Sequence, residues 1–174
     1  WWILLKGTRL DFIVAALSAL ACLGALLHLP VWALFIGWAW YLALGSKPQV
    51  IREAGLTCVL SALLAVLAVV MGDWLQSYCS PLAASMLAVF VTIYMLMFML
   101  KVPGIKYPLV AFNAFSCIFA GYYLQAFPVQ ADYGWSLVYA FVWIVGANIL
   151  GLFVGWLSIA LTQVHQPEPQ AETE

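Results

Sequence analysis

The side chains of this sequence that could do chemistry include two asparagines within long apolar stretches. Asn113 and Asn148 are the most polar groups there, and Ser116 follows Asn113 at the spacing that places two side chains on one helix face. A carboxamide in hydrocarbon is costly unless it is hydrogen-bonded, so each asparagine must face another helix or a wet cavity. Two interpretations follow: a hydrogen bond between helices, or an amide that donates to and accepts from a small polar solute.

Aromatic residues accompany these polar groups along the chain. Three phenylalanines surround Asn113, and a second aromatic group lies in an earlier apolar stretch. Aromatic walls with a few hydrogen-bonding groups are typical of a narrow path for a neutral solute. The residues predicted to line this substrate path are Phe35, Trp38, Tyr41, Phe112, Asn113, Phe115, Ser116, Phe119 and Asn148.

Other kinds of site have no support in the sequence. No Asp, Glu, Lys or Arg lies clearly inside an apolar stretch, which argues against a proton relay or ion-coupled exchange. The four cysteines form no C-x-x-C motif and no close pair with a histidine, and those in apolar stretches should behave as small apolar residues. Phosphate-binding glycine loops and Ser/His/Asp sets are absent. We therefore predict a protein that is not an enzyme, with no catalytic residue, metal or cofactor.

The elements that position these residues must lie in a membrane. Of the 174 residues, 67% are hydrophobic and only 7% are charged, and the mean hydropathy is +1.05. So few charges cannot cover the surface of a water-soluble globule of this size. The composition excludes a cytosolic enzyme, a nucleic-acid binder and a secreted disulfide scaffold, and it makes membrane lipid the expected surrounding.

Polar residues divide the chain into six apolar stretches, each near the length that crosses about 30 Å of hydrocarbon. They cover about 11–29, 31–45, 52–74, 82–100, 107–127 and 133–162. If all six cross, every Lys and Arg lies on one face, whereas re-entrant second and fifth stretches would divide them. We predict an all-α integral membrane protein with six transmembrane helices and both termini cytoplasmic. A single domain covers 1–162, and 163–174 forms a disordered cytoplasmic tail.

Two of the six apolar stretches resemble each other in sequence. Phe35–Gly45 and Phe112–Gly121 share the pattern F-x-small-aromatic-x-x-large-large-Ala, followed by Gly. They are the second and fifth stretches, so an odd number of crossings per copy predicts a 3+3 inverted-topology repeat of about 11–77 and 82–162. The substrate path would lie at the repeat interface. The same pattern also fits close helix packing, at the predicted packing residues Gly37, Ala114, Gly151 and Gly155.

These blocks also carry a family resemblance. The block from Trp32 to Ala43, W-A-L-F-I-G-W-A-W-Y-L-A, is similar to the YcdZ-like small inner-membrane proteins, a family defined as a domain of unknown function. Phe112–Gly121 resembles the second block of that family, F-x-G-x-x-x-x-F-A-G, with Ala114 where Gly is usual. The resemblance covers roughly residues 12–160. It implies a multi-pass protein of the bacterial inner membrane, and it brings no substrate or catalytic residue.

Together these patterns favour a membrane channel or facilitator for a small neutral or weakly ionisable solute. A homo-oligomer is expected. Because six helices leave little room for a wide central pore, either each protomer carries a narrow path or the path lies on a symmetry axis. The alternative is a non-transporting membrane subunit or scaffold, in which the small residues pack helices against a partner protein.

Overall fold

The computed structural model describes residues 8–128 and 132–163, and every regular element within those ranges is a helix. The α-helices are α1 (Arg9–Ala21), α2 (Val31–Ala43), α3 (Pro48–Leu75), α4 (Pro81–Met99), α5 (Pro108–Tyr123) and α6 (Tyr133–Gln163). A 3₁₀ helix, Cys22–Leu27, extends α1. The predicted all-helical fold with six α-helices is confirmed, whereas the predicted tail lies outside the described residues beyond Gln163.

Local signals set the helix starts. α3, α4 and α5 each begin with a proline, whose missing N–H costs nothing at the first helical position. α1 begins with a capping box, in which the Thr8 backbone N donates to Asp11 Oδ2 (2.6 Å) and the Asp11 N donates to Thr8 Oγ1 (3.3 Å). Two helix boundaries differ from expectation. α3 starts at Pro48 rather than at Arg52, and α5 ends at Tyr123 rather than near residue 127.

Among the described residues, four helices are long and apolar enough to cross a membrane: α1 with its 3₁₀ extension, α3, α4 and α6. α2 has 13 residues and α5 has 16. At 1.5 Å per residue they are about 20 and 24 Å long, less than the roughly 30 Å of bilayer hydrocarbon. The chain is thus a helical protein of membrane type, while six complete crossings and the side of the termini stay predictions.

Two long helices carrying small residues form the core. On α3 the fully buried positions Ala54, Cys58, Ala62 and Ala65 recur every three or four residues, so one face presents little bulk. α6 carries a comparable stripe of small residues. α4 and α5 pack against α3, and α1 and α2 pack against α6.

Contacts between connections define two ends of the bundle. At the first end, Lys106 Nζ donates to Glu53 Oε1 (2.9 Å) and Thr57 Oγ1 donates to the Lys106 carbonyl (2.7 Å). At the second end, Tyr133 OH donates to Asp73 Oδ2 (2.6 Å). The first end therefore holds the α2–α3 and α4–α5 connections, and the second end holds the α3–α4 and α5–α6 connections. The α1–α2 connection also lies at the second end, because His28 lines a pocket together with Gln125 and Phe127.

Candidate functional site

A very close helix contact joins α2 to α6 at the centre of the bundle. A Cβ placed on Gly37 would overlap the Asn148 backbone carbonyl, and one placed on Gly151 would overlap the Leu34 carbonyl. A Cβ on Gly155 would lie 2.8 Å from the Cβ of Tyr41. The absence of side chains at these glycines is what lets the two backbones touch.

The Asn148 side chain lies at this contact and is only 1% exposed. Among the described residues, neither its Nδ2 nor its Oδ1 has a hydrogen-bond partner. The thiols of Cys58 on α3 and Cys117 on α5 lie close enough to interact with the amide, although neither forms a well-aligned hydrogen bond. Asn148 therefore marks the point where α2, α3, α5 and α6 meet.

Two more buried polar atoms in the described part of the chain lack a partner. They are Ser61 Oγ, one helical turn from Cys58, and Trp38 Nε1 on α2. Leaving a buried donor or acceptor unsatisfied costs about 1–3 kcal/mol, and native proteins pair nearly all such groups with protein or water. The interior of the bundle thus has hydrogen-bonding capacity that its own side chains leave unused.

A groove of about 300 Å³ opens between α2 and α5. Its lining residues are Trp32, Ile36, Asn113, Ser116, Cys117 and Ala120. Cys117 both lines this groove and lies beside Asn148, so its side chain separates the groove from the centre. Asn113 is half-buried and its Oδ1 accepts a hydrogen bond from Trp40 Nε1 (3.2 Å), while Ser116 is exposed.

The predicted aromatic path residues divide by burial. Trp38, Tyr41 and Phe115 are buried. Phe119 is half-buried, and Phe35 and Phe112 expose 36% and 41% of their surfaces. Phe35 stacks on Trp38 and Phe115 on Phe119, with ring centroids 6.1 and 5.1 Å apart. The structure therefore brings Asn113 and Ser116 to the groove and Asn148 to the centre, but it leaves Phe35 and Phe112 partly on the surface.

The helix-packing residue predicted on α5 is also buried. Ala114 is 1% exposed, whereas its repeat counterpart Gly37 touches the α6 backbone directly. Sequence reasoning missed the two thiols beside Asn148 because it treated both cysteines as small apolar residues. The available signal was their spacing: Cys117 lies one turn after Asn113, and Cys58 one turn before Ser61. In the described ranges, no three His, Cys, Asp or Glu side chains are grouped as a metal site.

A second polar cluster lies at the first end of the bundle. Glu53 accepts hydrogen bonds from Lys106 and from the hydroxyl of Tyr107 (2.8 Å). Tyr107 lies outside the helices and has a φ of +70°, a left-handed conformation that is unfavourable for a bulky residue. Donation to the Glu53 carboxylate favours the neutral phenol and raises the pKa of Tyr107. This bond fixes the α4–α5 connection over the start of α3.

Comparison with known proteins gives one match. A family model described as "Protein of unknown function (DUF1097)" matches residues 12–163. No curated protein and no solved structure matches the chain. The predicted membership of a family of unknown function is confirmed, while the YcdZ-like name and a bacterial origin stay predictions.

Proposed function

The chain belongs to the DUF1097 family, and from the geometry of this member we propose a membrane channel or facilitator for a small neutral or weakly ionisable solute. The observation that carries the proposal is the Asn148 carboxamide. It is 1% exposed, lies where four helices meet, and has an unpartnered donor and an unpartnered acceptor among the described residues. A solute that both accepts and donates a hydrogen bond would satisfy both atoms.

The groove between α2 and α5 supplies a route to this amide. Asn113 and Ser116 offer polar groups at the groove, and Cys117 stands between the groove and Asn148. In this proposal the Cys117 side chain has to move for a solute in the groove to reach Asn148. The helix segments around Asn148 carry no Asp, Glu, Lys or Arg, so a charged solute would meet no compensating group there.

We also propose the 3+3 inverted repeat, with the path at the repeat interface. The helix contacts support it, since α2 packs on α6 as α5 packs on α3, and α1 packs on α6 as α4 packs on α3. The two short helices occupy matching places beside the two long ones, as in transporters built from inverted repeats. The first end carries Lys47, Arg52, Lys101 and Lys106, which favours a cytoplasmic location for that end and for both termini.

We infer further that the protein works as a homo-oligomer in a bacterial inner membrane, without a catalytic step, a cofactor or nucleic acid. The groove lies on the protomer surface between α2 and α5, where a second copy could close its open side. Its partners would then be membrane lipid, the solute and copies of itself.

A scaffold function is the second candidate, and one contact favours it. Trp40 Nε1 donates to Asn113 Oδ1, so this asparagine already serves as the interhelical hydrogen bond of a packing residue. In a scaffold, the partly exposed rings of Phe35 and Phe112 would contact a partner protein.

Stopped-flow light scattering on proteoliposomes distinguishes the two functions. The solutes are urea, acetamide, glycerol, ammonia and short carboxylic acids, and the variant is Asn148→Leu. The matched control is Ser85→Ala, which removes an exposed hydroxyl on α4 far from the site. A channel predicts flux above empty liposomes that Asn148→Leu reduces at least tenfold and Ser85→Ala leaves unchanged. Absence of flux for every solute would refute the channel and favour the scaffold.

A further inference from the structure

A long groove runs along the outer side of α3, away from the candidate path. Its apolar part has a volume of about 700 Å³ and lies between α3 and α4. Leu60, Leu63 and Leu64 line it on α3, and Tyr94, Met95 and Phe98 line it on α4. Such a trough on a membrane-type helix pair has the shape and polarity that suit an extended hydrocarbon chain.

A polar part continues the groove toward the first end of the bundle. It has a volume of about 420 Å³ and is lined by Gln49, Arg52, Glu53, Leu56, Pro103 and Gly104. The two parts adjoin on both walls. On α3, Leu56 and Leu60 are one helical turn apart, and on the opposite wall Val102 of the apolar part precedes Pro103 of the polar part. The groove thus changes along its length from hydrocarbon-like to charged.

At the polar part, Arg52 and Lys106 face a single carboxylate, Glu53, so one positive charge is in excess. Glu53 is paired with Lys106 and accepts from Tyr107, so its carboxylate is already satisfied. Arg52 is exposed and forms no ion pair with any residue that the structure describes. A second cation, Lys101, borders the apolar part, since its Nζ lies 4.5 Å from the ring centroid of Phe98. A guanidinium with free donors is suited to bidentate binding of a phosphate group.

The length of the groove matches one leaflet of a membrane. Arg52 and Leu64 are separated along α3 by 64 − 52 = 12 residues. At 1.5 Å per residue this distance is about 18 Å, compared with about 15 Å for half of a 30 Å hydrocarbon core. A charged head group at Arg52 would therefore place the apolar part of the groove at the depth of acyl chains.

We propose that this groove is a binding site for an anionic glycerophospholipid, with the phosphate at Arg52 and an acyl chain between α3 and α4. Polarity, charge and length agree with that ligand along these two adjoining pockets. The site is separate from the Asn148 region, so it does not depend on whether the protein conducts a solute.

Native mass spectrometry of delipidated protein in a neutral detergent tests the proposal. Phosphatidylglycerol and phosphatidylcholine with identical acyl chains are titrated separately, and glycerol phosphate is added as a competitor without a chain. The variants are Arg52→Gln, which removes the proposed phosphate contact, and Leu63→Trp, which fills the apolar part. The control is Lys47→Gln, an exposed cation at the same end that does not line the groove.

The lipid site predicts tight binding of phosphatidylglycerol that glycerol phosphate does not displace. Arg52→Gln should weaken it about tenfold, the effect of losing one charge-assisted contact, while Lys47→Gln should change it less than twofold. Leu63→Trp should weaken both lipids. Equal affinity for the two lipids, or equal effects of Arg52→Gln and Lys47→Gln, would overturn the proposal. Displacement by glycerol phosphate would also overturn it, because the site would then bind a free phosphate.

Discussion

Replacing Asn148 by leucine should stabilise the protein while it impairs solute flux. The Asn148 amide is 1% exposed, and both its polar atoms lack partners among the described residues. Each such atom costs about 1–3 kcal/mol, so the pair costs at least about 2 kcal/mol. Leucine branches at the same carbon and has the same number of non-hydrogen side-chain atoms, none of them polar. The free energy of unfolding should therefore rise by about 2 kcal/mol, a factor of roughly 30 in the ratio of folded to unfolded protein.

The assay is unfolding in mixed micelles with increasing sodium dodecyl sulfate, followed by tryptophan fluorescence. Asn113→Leu is the matched control, because it removes the acceptor of the Trp40 hydrogen bond. Interhelical hydrogen bonds in membrane proteins contribute about 0.6 kcal/mol on average and up to about 1.7, so this variant should lose stability by that amount. Asn148→Leu should thus raise the free energy of unfolding, and Asn113→Leu should lower it. A loss of stability in Asn148→Leu would refute the reasoning, since it would show that the amide is already hydrogen-bonded.

Two further perturbations test the helix contacts and the cluster at the first end. Gly151→Ala should destabilise the protein by about 1–3 kcal/mol, because its Cβ would overlap the α2 backbone. Gly146→Ala on the same helix faces open space and should be neutral or stabilise by up to about 1 kcal/mol, as measured in the same micelles. Equal losses of stability in the two variants would contradict the close contact between α2 and α6. Glu53→Gln should lower the pKa of Tyr107 toward its ordinary value, as followed by ¹³C NMR of labelled tyrosine, and it should remove the ion pair to Lys106. An unchanged pKa would rule out that hydrogen bond.

The sequence alone was enough to place the helices approximately, with differences at the start of α3 and the end of α5. Their starts depend on local features: a proline at the first position of three helices, and the capping box that joins Thr8 to Asp11. The apolar character of each helix could be predicted from its hydropathy, because the transfer of a segment into hydrocarbon depends on the composition of that segment. α5 ended earlier than expected, at Tyr123, because Gln125 adopts a left-handed conformation with a φ of +51°, which a helix cannot continue through.

The arrangement of side chains in the candidate site depends on contacts between helices, which the sequence could not show. Spacing predicted Asn113 and Ser116 on one helix face, because both belong to one helix and its period is fixed, and both residues line the groove between α2 and α5. Spacing could not show that Trp40 Nε1 would donate a hydrogen bond to Asn113 Oδ1, or that two thiols would lie beside Asn148.

Composition and local signals by themselves determined that this is an apolar helical protein of membrane type, with helices near the predicted positions. Only the tertiary structure decided that α2 touches α6 through Gly37 and Gly151. It also decided that Asn148 is buried beside Cys58 with no hydrogen-bond partner among the described residues. The physical reason is that helix formation and membrane partition depend on neighbours along the chain. Which faces meet depends instead on the packing of residues that are distant in the sequence.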